Sequence, residues 1–239
     1  MHQRKGKKIL IYFFLLILVG SINNINFSSI KLKEIDNIKI LGLGDKDNSI
    51  LLKEIENLNL ENIFLINKEK IVEKINSNSL IEKYEIFKRY PSSLDINIDK
   101  TKFLAKLNEN DKILIIGSNG KLSKNDSFNN HLPFIFGKPD INEFLYFKEI
   151  IDQSNFSYDE VKNLYFYSSK RWDIELNNDI IIKLSKDHPK NSLKFAFEFL
   201  HNNDFKDIKI IDARIKNQII LNDWRNKSWN LFIYFKEWI

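Results

Sequence analysis

Imidazole chemistry in this sequence rests on four residues, His2, His131, His188 and His201. None falls in an H-E-x-x-H or comparable ligand pattern, so they read as surface or helix-capping residues. His188, directly before Pro189, reads as a helix-entry residue. Cysteine is absent, which removes disulfides, thiolate metal sites and thiol nucleophiles. No G-x-S-x-G places a serine on a nucleophile elbow. Gly117-Ser118-Asn119-Gly120 lacks the Gly-Lys-Ser/Thr ending of a phosphate loop and leads into a strand, so it reads as a hairpin turn. Carboxylate pairs such as Asp159/Glu160 and Asp95/Asp99 occur by chance among 32 acidic residues. The reading is a protein with no catalytic residue, metal, cofactor or small-molecule substrate, one that works by contact.

The chemistry of contact has a better candidate. Asn217-Gln218-Ile219-Ile220-Leu221 is a strand pattern without Lys or Pro. Natural sheet edges are blunted with such residues, and an unblunted edge is a template to which a partner adds a strand through main-chain hydrogen bonds. Arg214 and Ile215 lie just upstream, and Lys170 and Arg171 precede a second strand pair; these cations suit acids on a partner. The bland alternative is a covered strand and a solvated charged face. After Asn222 the chain carries Trp224, Trp229, Leu231, Phe232, Ile233, Tyr234, Phe235, Trp238 and Ile239 beside Arg225, Lys227 and Lys236. So dense an apolar run is rarely left exposed. The favoured reading folds this tail back over the strand-rich section as an extra strand or helix, with a second docking segment or a membrane contact as alternatives.

The elements that must position these residues follow from periodicity. Asn37–Leu43 reads as a strand ending in a Gly42 turn, 48–58 and 68–76 as helices, and 80–90 and 93–97 as strands around Pro91. The order is β-α-α-β-β. Beyond Thr101, strands are expected at 102–107, 112–116 and 132–136, and a helix follows Asp140, which forms a capping box with Glu143. Strands at 164–167, 172–176 and 180–184 precede a helix opening at Pro189. Ile208–Ile215 and 218–221 close as a hairpin. The class is α+β.

The net charge is +5, but four of the 37 basic residues are Arg4, Lys5, Lys7 and Lys8, leaving 33 against 32 acidic groups in the remainder. That distribution argues against nucleic acid. Ile9–Gly20 is apolar and follows the basic cluster, the pattern that leaves the N-terminus inside and the remainder outside the cytoplasm. No charge occurs between Lys8 and Lys31, so a spanning helix over 9–30 is expected behind a cytoplasmic tail at 1–8. Cleavage as a signal peptide after Ser21 is the alternative, disfavoured by the lack of a small-x-small site with Ala.

These motifs, in order, resemble the FtsQ/DivIB cell-division family. Ile38-Lys39-Ile40-Leu41-Gly42, Asn62-Ile63-Phe64-Leu65 and Arg89-Tyr90-Pro91-Ser92-Ser93-Leu94-Asp95-Ile96 resemble its strand-Gly, "nIF" and "R-x-P-x-x-L-x-I" signatures. Leu132-Pro133-Phe134-Ile135-Phe136-Gly137, the Trp172-led hairpin to Ile180, and Ile211-Asp212-Ala213-Arg214 resemble those of its second domain. Asp99–Ala105 departs from the usual "ER-x-P-x-A", and Ile215 stands where an aromatic is common. The resemblance implies a transmembrane helix, a POTRA domain at 35–99, a strand-rich domain with two helices at 100–222, and a tail at 223–239. It further implies a non-enzymatic divisome scaffold in the inner membrane whose last strand receives a segment of FtsB, itself paired with FtsL. A POTRA protein that transports or chaperones outer-membrane polypeptides is the alternative.

Overall fold

Strand and helix periods translate into thirteen strands and five α-helices among the described residues of a computed structural model: 3–22, 33–124, 131–202, 208–223 and 234–235. The chain divides into two compact units. One is Met1–Leu41, Asp45–Lys74 and Glu85–Asn97; the other is Gly42–Gly44, Ile75–Tyr84 and Ile98–Ile239.

Helix α1 spans Gln3–Ile22. It begins earlier than expected because Arg4, Lys5 and Lys7 are good helix formers. Its apolar run Ile9–Gly20 is therefore about 18 Å long, short of the roughly 30 Å of a bilayer core. Among the described residues no helix is long and apolar enough to cross a membrane, and the expected spanning helix over 9–30 extends past them. The continuation through Ile25, Phe27 and Ile30 lies outside the described residues, as does His2.

The β-α-α-β-β order is realised as β1 (Asn37–Leu41), α2 (Asp45–Glu56), α3 (Lys68–Ser77), β2 (Ile81–Arg89) and β3 (Ser93–Lys100). The three strands form a sheet in the order β1-β3-β2, with β1 parallel to β3. Alternation along β3 buries Leu94 and Ile96, while α2 buries Leu51 and Ile55 one turn apart.

The strand-rich part is a ten-stranded sheet in the order β13-β12-β11-β10-β9-β8-β7-β4-β5-β6. Its strands are β4 (Phe103–Glu109), β5 (Lys112–Gly117), β6 (Leu122–Ser123), β7 (Phe134–Phe136) and β8 (Val161–Phe166). They continue as β9 (Trp172–Leu176), β10 (Ile181–Leu184), β11 (Ile208–Ala213), β12 (Gln218–Asp223) and β13 (Tyr234–Phe235). Three of the sheet's pairs are parallel, β4 with β7, β7 with β8 and β10 with β11, and helices supply the crossovers of the last two. Helix α4 (Ile141–Asp152) joins β7 to β8, and α5 (Pro189–Asn202) joins β10 to β11. The Asp140–Glu143 capping box is formed, with the Asn142 N–H donating to Asp140 at 2.8 Å. Phe144, Phe147 and Ile151 of α4 and Leu193, Ala196 and Phe199 of α5 share one core with alternate residues of β8 to β12.

Candidate functional site

Period-2 alternation puts the odd residues of β9 on the face away from this core, and register aligns their neighbours. Tyr165 on β8, Asp173 on β9, Lys183 on β10, Asp212 on β11 and Ile220 on β12 stand directly opposite one another in turn. The row crosses five strands and alternates in charge at its centre, with Ile220 on its β12 side.

Two arginines clamp it. Arg171 Nε and Nη2 donate to Asp173 at 3.0 and 3.2 Å, and its guanidinium lies 4.3 Å from the Tyr167 ring centre. Asp173 is fully buried and also accepts from the Leu184 N–H, so its charge is paired and hydrogen-bonded as a buried carboxylate requires. Arg214 Nε and Nη2 donate to Asp212 at 2.8 and 2.6 Å, and the Arg214 N–H donates at 3.1 Å. Burial works to raise the Asp212 pKa. The hydrogen bonds from Arg214 and the charge of Lys183 overcome it, and the carboxyl titrates below the ordinary value of 3.8. Arg214 is held correspondingly upward, chiefly by its bond to Asp212.

A pH dependence follows. A carboxyl whose folded pKa lies below its unfolded one contributes stability that is present above the unfolded value and lost as pH falls through the folded one. Asp212→Asn should lower the denaturation midpoint at pH 7 by the equivalent of about 1 kcal/mol or less, since Arg214 is partly exposed. The difference from the parent should close below pH 3.8. Denaturant titrations of both proteins across that window measure it, and a gap that persists in acid contradicts the assignment.

The third predicted cation, Lys170, donates to Glu143 at 2.6 Å. All three cations expected to face partner acids therefore already hold carboxylates of their own chain: Glu143, Asp173 and Asp212.

Asn217–Leu221, read as a candidate edge, has β13 beside it: Gln218 stands opposite Phe235 and Ile219 opposite Tyr234. The favoured reading of the tail as a returning strand holds at these two residues; the rest of the tail lies outside the described residues. Ile219 and Leu221 point into the core and are buried, whereas Gln218 and Ile220 are half-exposed on the opposite face. Of the predicted set, Arg214 and Ile215 are exposed and Asn217 is half-buried. Ile215 and Asn217 also line a cleft of about 390 Å³ with His188, Asn191, Ser192 and Lys216. Its buried serine is satisfied, since Ser192 Oγ donates to the Ala213 carbonyl and accepts from the Ser185 N–H.

The motifs examined for other chemistry lie elsewhere. Gly117–Gly120 closes a tight turn in which the Gly120 N–H donates to the Gly117 carbonyl. Asp159 and Glu160 sit in a 3-10 turn, and Asp95 pairs with Arg89. His201 stacks on Phe197 at 5.0 Å. Among the described residues no group of three or more His, Asp or Glu could hold a metal.

Comparison with known proteins bears on this arrangement. A protein-family profile described as "POTRA domain, FtsQ-type" matches residues 33–100. The chain is 22% identical over 201 residues to a protein of Rickettsia bellii (strain RML369-C) named "Cell division protein FtsQ", covering 80% of this chain and 73% of that one. A solved structure of the major extracytoplasmic domain of the trans isomer of the cell-division protein DivIB from Geobacillus stearothermophilus aligns with 11% identity and a TM-score of 0.31. It covers 44% of this chain and 98% of that domain.

Proposed function

We propose that this chain is a member of the FtsQ/DivIB family of cell-division proteins and a non-enzymatic divisome scaffold held at the cytoplasmic membrane by its N-terminal segment. Ile9–Val19 supports the anchor: the apolar side chains of this stretch stand open to solvent, with Leu16 71% exposed. Such a surface needs an apolar environment. The basic residues before it favour an N-terminus inside and a bulk outside the cytoplasm, at the division site. In this reading the domains run 35–99 and 100–222.

The docking rim is the outer side of β12. The observation that carries this is the unblunted strand itself: Gln218-Ile219-Ile220-Leu221 carries no Lys or Pro and already takes an added strand, β13, at Gln218 and Ile219. A partner segment of the FtsB type, accompanied by FtsL, would take the place of β13 along β12. The Arg171–Asp173 and Arg214–Asp212 pairs then serve to hold the end of the sheet rigid, and their bidentate geometry suits that role.

The test is co-purification of the full-length chain from membranes, as parent and as Ile220→Lys. The new lysine stands opposite Asp212, so the variant is expected to fold normally. It should lose at least about 90% of the recovered division partners, the tenfold effect of about 1.4 kcal/mol at a docked strand. Full recovery by a folded variant refutes β12 as the rim. The transport or chaperone alternative would use β2, the outer strand of the small sheet. Lys83, Glu85, Lys88 and Arg89 along β2 are the charges that blunt an edge, which favours the scaffold.

A further inference from the structure

Three large apolar side chains stand exposed together at two turns of the first unit: Phe64 at 57%, Leu65 at 67% and Tyr90 at 62%. The Phe64 and Tyr90 rings are 5.0 Å apart. The loop that carries Phe64 and Leu65 is not loose. Asn62, nearly buried, accepts from the Phe64 and Leu65 N–H groups through its side chain, each at 3.1 Å. Lys88 Nζ donates to the Ile63 carbonyl at 2.9 Å. The Phe64 and Leu65 N–H groups and the Ile63 carbonyl are thus satisfied internally, and the Phe64 and Leu65 side chains stand exposed. Such a surface can enter an apolar phase without stranding those groups.

The occupant is indicated by where the chain enters. Residues 33–36 are fastened to this same end: Glu34 bridges Asn62, the Ile35 N–H donates to the Glu61 carbonyl, and the Asp36 N–H donates to the Ser92 carbonyl. Only eleven residue steps separate Lys33 from Ile22, the end of α1. Fully extended they reach roughly 40 Å. Lys33 and Arg89 flank the patch; each holds a carboxylate of its own chain, Asp36 and Asp95, yet their side chains are 60% and 69% exposed and open to lipid headgroups.

We propose that Phe64, Leu65 and Tyr90 form a contact with the outer surface of the membrane in which α1 is seated, seating the first unit on the bilayer beside its own tether. The aromatic and leucine side chains enter the boundary between headgroups and acyl chains, and the flanking cations meet lipid phosphates. This rests on the membrane anchor proposed above.

The absence of native cysteine makes the test direct. Full-length Leu65→Cys, carrying a polarity-sensitive fluorophore, is reconstituted into vesicles of phosphatidylethanolamine and phosphatidylglycerol with and without lipids bearing a nitroxide near the headgroup. Lys46→Cys, in the first turn of α2 beyond the opposite end of β1, is the control. The Leu65 label should emit to the blue of the control and be quenched at least about threefold more, as a group seated 5–10 Å into the interface would be. Adding Phe64→Asp should return it to the control level. Flotation reads the anchor separately. A chain that floats with quenching equal to the control overturns the surface contact and leaves the anchor standing, whereas a chain that fails to float overturns both. Shielding of the label only when division proteins are co-reconstituted assigns the patch to protein and overturns the lipid contact.

Discussion

Trp172→Ala should lower the unfolding free energy of the strand-rich unit by about 3–5 kcal/mol, a large part of the roughly 5–15 kcal/mol that a typical domain possesses. Trp172 opens β9, in the middle of the ten-stranded sheet, and is 7% exposed. Its indole stacks on Phe147 with ring centres 4.6 Å apart and planes 6° apart. It meets Phe166 at 4.7 Å and Phe144 at 6.5 Å. Two of those rings come from α4 and one from β8, so the indole fastens the helix to the sheet at the end where Arg171 and Asp173 stand. Removing it leaves a cavity among aromatic walls that cannot collapse, because each wall belongs to a hydrogen-bonded element. Denaturant unfolding of the full-length chain in detergent, followed by far-ultraviolet circular dichroism, measures the loss. Trp172→Phe should lose less than half as much as Trp172→Ala. A shift in the alanine variant below about 1 kcal/mol, the scale of a surface substitution, rules out this packing role.

What the residues disclosed beforehand, and what they withheld, follows the range of the interactions. The capping box at Asp140 and Glu143 lies within three residues and was readable. So were the hairpins around Asn177–Asp179 and 118–120, because turn chemistry is local. The order of the first five elements of the small sheet followed from the switch between periods of 2 and 3.6. The pairing of the cations was only half legible. Arg171/Asp173 and Asp212/Arg214 are two residues apart, and residues so spaced share a face of a strand, a signal present in the sequence and passed over. Lys170 with Glu143 joins residues 27 apart across a helix and a turn, and no local pattern announces that. The covered rim is harder still. Tyr234–Phe235 reaches β12 from beyond a stretch with no alternation, and an aromatic run specifies burial without specifying a register. The short apolar run of α1 shows the same limit: the basic residues that mark orientation are also good helix formers, so charge and helix overlap instead of abutting.

Gly42→Ala should be the most damaging substitution of a single methyl group. Gly42 follows β1 with φ at +121°, and an added Cβ would fall 1.8 Å from the Ile98 carbonyl oxygen. Leu41 pairs with Asn97, so the next residue is carried directly onto the backbone of β3, and no side-chain movement can make room. Gly44 supplies an internal control. Its φ is +99°, yet a Cβ there meets nothing within 4 Å. Gly44→Ala therefore carries only the strain of left-handed backbone, about 1–2 kcal/mol. Gly42→Ala adds a steric overlap that must be relieved by moving a strand, for a total of about 4 kcal/mol. The two variants, unfolded side by side in denaturant, separate backbone strain from close approach. Equal losses would mean that β3 yields freely at Ile98. A large gap would mean that the strand-Gly signature marks the place where two backbones touch, and that its glycine is required for the missing side chain more than for its freedom of rotation.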